Sequence, residues 1–543
     1  MEKRNHSAPQ LRQAVSQPNS QPAPRQIADN SLLKRCAPAA LTLFPMPNPI
    51  FNRMAGCMVS CMIGLVGVTN MAQASGLGPQ DAALRRDLQA LRDAGYISTL
   101  TTTWPIPWSV LKQDLAALQD KKLPAYLVNA KNSLSKAVKA NTAPFTFSAE
   151  LYGSSEPKLL SQFGKHSSED NSLSTTLGFK QEHWQATLAV QAVNHAIDEQ
   201  DYQLDGSNLS VDLAHWRAGL STLDHWWGPG WQSSLILSHN ARPIPMLYLS
   251  RQSRDPFETP YLSWLGPWHV ITFMGQLEST RHVPQALLWG LRLTFSPHPA
   301  WELGLSRTAI WAGDGRPSGA DTFVDLLLGK DNFEHDDPDK AQEPGNQLGG
   351  IDIRFGHQLG EGSASAYLQV IGEDEAGNLP SRPVVMAGAS VTVPLRQAPM
   401  TIAIEYQDTA LDSYSDPIFN SAYNHSIYQT GYRFRGRSIG ASTDNDTQLL
   451  SWGAMFQPTQ RWEMAAWLSK VKGNRDGLDG RNPVFQSSID TTYASLNATY
   501  KVRGHAITLG TNWWEDVPQD LLGRAHGVGF ILDYTLTLAR GPE

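Results

Sequence analysis

Cysteine is missing from most of this chain. The three cysteines among its 543 residues are Cys36, Cys57 and Cys61, and all of them precede residue 75. A chain cleaved after that point contains no thiol, which excludes disulfides, thiol catalysis and thiolate metal sites. The HExxH zinc motif is absent as well. We therefore expect neither a metal site nor a cofactor.

Long apolar runs are also lacking in the body of the chain. After residue 75 no stretch reaches the roughly eighteen apolar residues from which a transmembrane helix is inferred. The apolar residues 54–68 follow Arg53 and precede Ala72-Gln73-Ala74, the small-x-small pattern that a signal peptidase reads. About fifteen residues are too few to span hydrocarbon as a helix. This pattern predicts a secretory leader cleaved after Ala74.

Residues 1–45 show no periodic apolar pattern and are rich in Pro, Gln and Ser. Translation from Met46 would explain them, because residues 46–74 then form an ordinary signal peptide. We therefore interpret residues 1–74 as a non-structural leader region.

Basic side chains are scarce relative to acidic ones. Removing residues 1–74, which hold seven Lys/Arg and two Asp/Glu, leaves 37 basic and 49 acidic side chains. A net acidic exterior argues against nucleic acid as a partner.

Helical spacing of apolar residues is confined to the segment 75–142. It predicts amphipathic helices over residues 78–95, 108–119 and about 126–139. About sixty residues without cysteine form only a marginal core alone, so we expect this segment to pack against a larger body. These three helices are predicted to be the only helical region.

From residue 143 onward, apolar and polar residues alternate with a period of two. In the last predicted strand the apolar face carries Val528, Phe530, Leu532, Tyr534, Leu536 and Leu538. Such alternation indicates strands with two different environments. By itself it fits an antiparallel sandwich with one wet face as well as a membrane barrel.

Three further features favour a transmembrane antiparallel β-barrel. Many strand-like stretches have the roughly nine to eleven residues that a tilted strand needs to cross the bilayer. Aromatic residues lie near strand ends, as the interfacial girdles of barrels require; examples are Trp462, Trp467, Trp513, Trp514 and residues 264–268. With a leader and no apolar helix, any membrane span must be β. Roughly 400 residues in units of about twenty to twenty-four predict about sixteen to twenty strands, of which we take eighteen. The predicted fold class is all-β with a small α-helical plug.

The longest predicted loop covers residues 411–448 and combines aromatic and basic side chains. Its candidate carbohydrate-binding residues are Tyr428, Tyr432, Arg433, Arg435 and Arg437. Aromatic rings stack on sugars, and guanidinium groups pair with carboxylates or phosphates. An acidic polysaccharide therefore fits, but so does an ordinary surface loop whose arginines contact lipopolysaccharide phosphates. Both interpretations put the loop outside.

Residues 224–242 crowd three tryptophans around a glycine-proline turn. The candidate residues of this motif, structural or binding, are Asp224, Trp226, Trp227, Gly228, Pro229, Gly230, Trp231, Asn240 and Arg242. The indole rings suit a sugar-stacking platform, but equally interface anchors or residues that pack a turn. Asn240 and Arg242 could support a polar network inside the barrel.

No catalytic residue is expected. Residues 436–440 match Gly-x-Ser-x-Gly, but they lie in a predicted loop with no helix after them, unlike a nucleophile elbow. The acidic residues 331–339 and 373–375 lack EF-hand spacing and are interpreted as solvated surface.

Together with residues 243–251, Arg281 and residues 313–317, the segment 224–242 resembles the signature of the Wzi family. These are outer-membrane proteins of Gram-negative bacteria that are involved in assembling the surface capsule. The resemblance implies an eighteen-stranded barrel over residues 143–543, with residues 75–142 as a plug at its periplasmic end. It further implies a lectin for capsular polysaccharide.

The expected function is an outer-membrane carbohydrate-binding protein that attaches capsular or exopolysaccharide to the cell surface. A channel for oligosaccharides is the alternative, because polar strand faces could line a water-filled pore. An enzyme that trims surface glycans ranks third. The expected partners are the polysaccharide, outer-membrane lipid and lipopolysaccharide, and a monomer is expected.

Overall fold

The structure is a computed structural model that describes residues 76–540, except 142, 157, 166–169, 195, 197, 328–344, 373, 377–378, 479–481 and 520–524. The predicted leader region and the acidic residues 331–339 lie outside the described residues, as do the side chains of residues 373–375.

Eighteen strands close into an antiparallel barrel in which each strand pairs with its neighbours in sequence and the last pairs with the first. Their bounds are β1 Phe145–Ser154, β2 Asn171–Lys180, β3 Trp184–Asn194, β4 Tyr202–Gln203 continued by Asn208–Leu213, β5 Trp216–Ser221, β6 Met246–Arg251, β7 Trp268–Gln276, β8 Leu287–Phe295, β9 Trp301–Trp311, β10 Gly345–Leu359, β11 Gly362–Gly372, β12 Val384–Leu395, β13 Ala398–Asp408, β14 Thr447–Thr459, β15 Trp462–Gly473, β16 Ile489–Val502, β17 His505–Trp514 and β18 Val528–Arg540. The predicted fold class and strand number are confirmed.

The period-two alternation separates an apolar outer wall from a polar inner one. In β18, the side chains of Val528 and Phe530 are 47% and 65% exposed, whereas Asp533 points inward and is 4% exposed. Closure leaves no unpaired strand edge, which is the condition for placing strands in lipid.

The predicted aromatic girdles need one correction. Trp462 and Trp513 are exposed on the outer wall, but Trp467 and Trp514 are buried on the lumen side. Neighbouring residues of a strand point to opposite faces, so Trp513 and Trp514 cannot both face lipid.

Three helices precede the barrel, close to their predicted positions: α1 Ala82–Asp93, α2 Trp108–Ala116 and α3 Ala125–Asn141. A fourth helix, α4 Ala320–Leu327, corrects the prediction of only three. It was missed because it is one short element between two strands, and Thr322 and Val324 are weak helix formers. None of the helices in the described residues has the length and hydropathy needed to cross a membrane.

Helix α1 stands inside the barrel, because residues on all its sides are buried and bond to lumen-facing side chains. Arg354 of β10 pairs with both carboxylate oxygens of Asp93 at 2.7 Å. Arg92 lies 2.5 Å from the carboxylate of Glu302 in β9. These buried ion pairs attach the helix to the wall.

The two ends of the barrel differ. Turns as short as Arg396–Gln397 connect strands at the end where α3 contacts the barrel, through a hydrogen bond from Asn129 to the carbonyl of Gln397. We call this the turn end. Long connections, including residues 222–245 and 409–446, lie at the opposite end, which we call the loop end.

Candidate functional site

The tryptophan motif folds back into the barrel and is completely covered. Trp226 and Trp227 pair as a two-residue ribbon with Thr103–Trp104, and both indoles are 0% exposed. Trp231 is 2% exposed. These rings do not reach solvent, so their surroundings are those of a packed core.

Helix α1 holds the turn of this motif. The guanidinium of Arg85 donates to the carbonyl oxygens of Gly230 at 2.7 Å and Pro229 at 2.5 Å. It lies 4.2 Å from the ring centroids of both Phe163 and Trp231. Burial lowers the pKa of Arg85 to about 9, because the charged form is poorly solvated there.

Glycine is required at position 230 of the turn. A Cβ atom there would lie 2.3 Å from the carbonyl oxygen of Ser233 and 2.6 Å from the sulfur of Met386. Both contacts are far inside van der Waals distance, so the sequence Gly-Pro-Gly serves the close packing of this turn.

The long loop 409–446 also folds into the barrel, contrary to the expectation that its aromatic residues lie outside. Tyr432 donates to the carbonyl of Ile236 at 2.9 Å, and Tyr428 donates to that of Ala312 at 3.1 Å. Their side chains are 0% and 1% exposed. Arg281 supports the same loop by donating to the carbonyl oxygen of Gly431 at 3.0 Å. The role of Tyr428 and Tyr432 in sugar binding remains a prediction.

Three of the candidate arginines belong to a small ribbon in this loop, formed by Arg433–Phe434 and Arg437–Ser438. We call residues 433–438 the arginine hairpin. Its turn residue Gly436 is exposed, and Arg435 and Arg437 beside it are half-buried. The turn of the arginine hairpin is therefore the part of it that solvent reaches.

The three arginines have different surroundings. Arg433 is buried, and its guanidinium binds both carboxylate oxygens of Asp444 at 2.7 and 2.5 Å. Arg435 instead donates to Asp198 at 2.5 Å. Arg437 donates to the side-chain oxygen of Asn240 at 3.3 Å. The geometry separates a core arginine from two at the surface.

The tryptophan motif and the arginine hairpin, which are distant in sequence, both bind Asp198. Arg242 of the tryptophan motif binds Asp205 through two hydrogen bonds of 2.7 and 2.9 Å and also pairs with Asp198. Burial alone would raise the pKa of Asp198, but the hydrogen bond from Arg435 and the charge of Arg242 hold it below its usual value. Asn240 binds Arg437 and Arg242 binds Asp205, whereas the polar network expected of these two residues inside the barrel remains a prediction.

Lys158 adds a cation that sequence reasoning missed. Its backbone carbonyl accepts from Arg437 at 3.3 Å, and its side chain is 5% exposed. Burial lowers the pKa of Lys158 to about 8. In the part of the chain that the structure describes, no carboxylate forms an ion pair with it. No local pattern marks Lys158, because its loop reaches the arginine hairpin only in the folded barrel.

We call the group Lys158, Asn240, Arg242, Arg435 and Arg437 the cationic rim. Two of its cations, Arg242 and Arg435, are neutralised by Asp198 and Asp205, whereas Lys158 brings a charge that no described carboxylate balances. The half-buried Arg435 and Arg437 can donate hydrogen bonds to hydroxyl groups, and the buried charge of Lys158 can attract an anionic group. The described residues contain no cluster of His, Cys, Asp and Glu arranged to hold a metal ion.

Asp224, another residue of the motif, accepts a hydrogen bond from Gln80. Burial raises its pKa to about 7. His225 beside it is buried, and burial lowers its pKa to about 4, so its imidazole is neutral at physiological pH.

Comparison with known proteins agrees with this architecture. The model of the family "Capsule assembly protein Wzi" matches residues 140–525. A protein of Klebsiella pneumoniae, described as an uncharacterized 55.8 kDa protein in the cps region, is 32% identical over 322 residues, which are 58% of this chain. The match spans only 62% of that relative's length.

A solved structure is similar over most of the fold. It is Wzi of Escherichia coli, described as an outer-membrane protein involved in group 1 capsule assembly and as a carbohydrate-binding β-barrel. The two share 25% sequence identity with a TM-score of 0.75, over 86% of this chain and 100% of that one.

Proposed function

This chain belongs to the capsule assembly protein Wzi family, and on that premise we propose that it binds capsular or exopolysaccharide and attaches it to the bacterial cell surface. Its barrel is an outer-membrane barrel. We propose that the loop end faces the exterior, since long loops of such barrels are extracellular, and that the turn end and α1–α3 face the periplasm.

The observation that carries the proposal is the cationic rim. At the loop end the arginine hairpin meets residues of loops far from it in sequence: Arg435 binds Asp198, and Arg437 binds Asn240 and the backbone carbonyl of Lys158. Guanidinium groups donate several hydrogen bonds in a fixed plane, which suits hydroxyl and carboxylate groups of a sugar polymer. One polymer chain has many repeats and can bind many copies of the protein at once, so that weak individual contacts together retain the chain.

Binding without passage fits the interior of the barrel. One apolar cluster in the described residues joins α1, the tryptophan motif and the loop 409–446; its members include Leu88, Trp226, Trp231, Tyr423 and Tyr432. Such a core packs against the polar inner wall and occupies the space that a water-filled pore would need. We therefore expect no large stable conductance from the purified protein in planar bilayers, and frequent open channels would favour the oligosaccharide-channel alternative.

We further propose that residues 1–74 are a leader region cleaved after Ala74, and that the mature protein is a monomer that binds polysaccharide without turnover. Mass spectrometry of the N-terminus from the outer-membrane fraction tests the cleavage site. Incubation of purified protein with polysaccharide tests turnover, because released oligosaccharide would show an enzyme.

The decisive experiment compares polysaccharide on cells and in the medium for a deletion strain and for the strain complemented with the wild-type gene. We expect the deletion to shed polymer that complementation returns to the cell. Equal retention in both strains, with the protein verified in the outer membrane of the complemented strain, would refute the proposal.

A further inference from the structure

Helix α4 packs on the outside of the barrel wall. In β9, Glu302 and Ser306 bond to lumen groups, which places Arg307, Ala309 and Trp311 on the opposite, outward face. Ala309 and Trp311 are nevertheless only 0% and 7% exposed. They are covered because α4 lies over them.

The contacts of α4 are with outward-facing residues. Phe323 lies 4.9 Å from the ring of Trp311 and 5.8 Å from that of Trp289, between ring centroids. Leu326 approaches Gly345 so closely that a Cβ atom at Gly345 would lie 2.8 Å from it. Helix α4, which belongs to the loop-end connection after β9, thus packs on the outer face of the wall.

Arg307 joins the end of α4 to this face. Its guanidinium donates to the carbonyl oxygens of Leu326 and Leu327, both at 2.9 Å, and to the side-chain oxygen of Gln347 at 2.9 Å. The last carbonyls of a helix lack partners within the helix and carry partial negative charge, so a cation stabilises them. An arginine that faces outward is thereby satisfied by protein groups.

The position of the α4 contacts across the membrane follows from the positions of their partners along β9. Trp301, at the turn end of β9, is partly exposed next to Phe355. Arg307 lies six positions along β9, or roughly 15 Å up a tilted strand, inside an apolar band of about 25 Å. Trp311 at the other end of β9 lies near the upper edge of that band. Helix α4 therefore sits at the level of the outer interface.

The exposed side chains of α4 are partly apolar. Val324 and Leu327 are 50% and 36% exposed and, three positions apart, lie on one face of the helix. Asp321 and Asp325, four positions apart, form a separate exposed acidic face. The apolar pair lies next to a wall that already exposes leucines such as Leu305.

We propose that α4 is an interfacial helix of the outer leaflet, whose Val324 and Leu327 contact lipid acyl chains while Asp321 and Asp325 face the polar headgroup region. The occupant is lipid because the apolar side of α4 is continuous with the lipid-facing wall. Helix α4 thereby extends the membrane-contacting surface beyond the strands, and Arg307 holds it there.

The test uses the absence of cysteine from residue 62 onward. Val324→Cys, labelled with bimane, is reconstituted into vesicles of phosphatidylcholine with or without brominated acyl chains. Leu305→Cys on the wall is the positive control, and Tyr414→Cys, at a site that is 74% exposed in the loop 409–446, is the negative one. We expect Val324→Cys to be quenched severalfold more than Tyr414→Cys and similarly to Leu305→Cys. Quenching no greater than that of Tyr414→Cys would overturn the proposal.

The role of Arg307 is tested by combining Arg307→Met with Val324→Cys and recording the mobility of a nitroxide label. We expect a more mobile label, whereas Arg461→Met, at an exposed site in a turn-end loop, should leave it unchanged. Leu305→Cys in the same Arg307→Met background reports by its quenching whether the barrel is folded. Unchanged mobility in a folded barrel would refute the anchoring by Arg307.

Discussion

The backbone N–H of Trp231 donates to the carboxylate of Glu405 at 2.6 Å, deep inside the barrel. The next two backbone N–H groups, of Gln232 and Ser233, donate to the same carboxylate at 3.0 and 3.1 Å, and Tyr367 donates its hydroxyl at 2.7 Å. A strand residue of β13 thus supplies the acceptor for three successive amides of the tryptophan motif. This anchor fixes the motif to the wall.

Replacing Glu405 should therefore destabilise the folded barrel. Glu405→Ala leaves three buried amides and one hydroxyl without an acceptor, and we expect the free energy of unfolding to fall by about 3–5 kcal/mol. Tyr367→Phe should cost about 1–2 kcal/mol. Urea unfolding in detergent, followed by tryptophan fluorescence, measures both. Tyr414→Phe, at an exposed site, is the control, and an effect of Glu405→Ala no larger than the control's would contradict this role.

Removing the arginines of the hairpin should separate binding from folding. Arg435→Ala and Arg437→Ala leave Asp198 paired with Arg242, so we expect an unchanged midpoint of unfolding. Loss of a charged hydrogen-bond donor should weaken polymer binding at least about tenfold. Retention of polysaccharide on cells that carry each variant measures this. The matched control is Arg461→Ala at the turn end, and full retention by the double variant would argue against the cationic rim.

Arg433→Ala should behave differently, because it leaves the buried carboxylate of Asp444 without its partner. We expect a loss of about 3–5 kcal/mol in the free energy of unfolding. The same unfolding measurement distinguishes it from Arg435→Ala. If Arg433→Ala were as stable as Arg435→Ala, the division into core and surface arginines would be wrong.

Lys158→Met should stabilise the protein while impairing its function. The pKa of Lys158 lies near 8 in the folded state and near 10.5 when unfolded, so at pH 7 folding must bury an ammonium group. We expect a gain of up to about 3 kcal/mol at pH 7, which shrinks as the pH rises above about 8. Binding to polygalacturonate should weaken, whereas its carboxyl-reduced form should bind wild type and variant alike. Undiminished polygalacturonate binding would show that Lys158 does not serve an anionic ligand.

Asp224→Asn should change how stability depends on pH. Because burial raises the folded-state pKa to about 7, the protonated carboxyl stabilises the fold below about pH 4, and this contribution is lost as the pH rises to about 7. The wild type should lose stability over that interval and the variant should lose less. Asp416→Asn, at an exposed site, is the control; parallel profiles for wild type and Asp224→Asn would exclude this effect.

Much of the architecture could be predicted from local sequence. Alternation such as that of Val528 and Phe530 against Asp533 depends only on the two-residue period of a strand, and helical spacing located α1–α3 within a few residues. Chain length bounded the strand number at roughly sixteen to twenty, and the cost of unpaired backbone in lipid required closure into a barrel. Helix α4 did not follow, because eight residues of weak helix formers depend on the wall that they cover.

What only tertiary structure decided is which residues meet. The sequence contains the arginines of the hairpin, but only the folded barrel buries Arg433 against Asp444 and leaves Arg435 half-buried beside Asp198. Lys158 has no local signal, and nothing near Trp231 in sequence indicates that Glu405 accepts the backbone N–H groups of residues 231–233. Local periodicity is a property of neighbouring residues, whereas partners and burial depend on how the whole barrel closes.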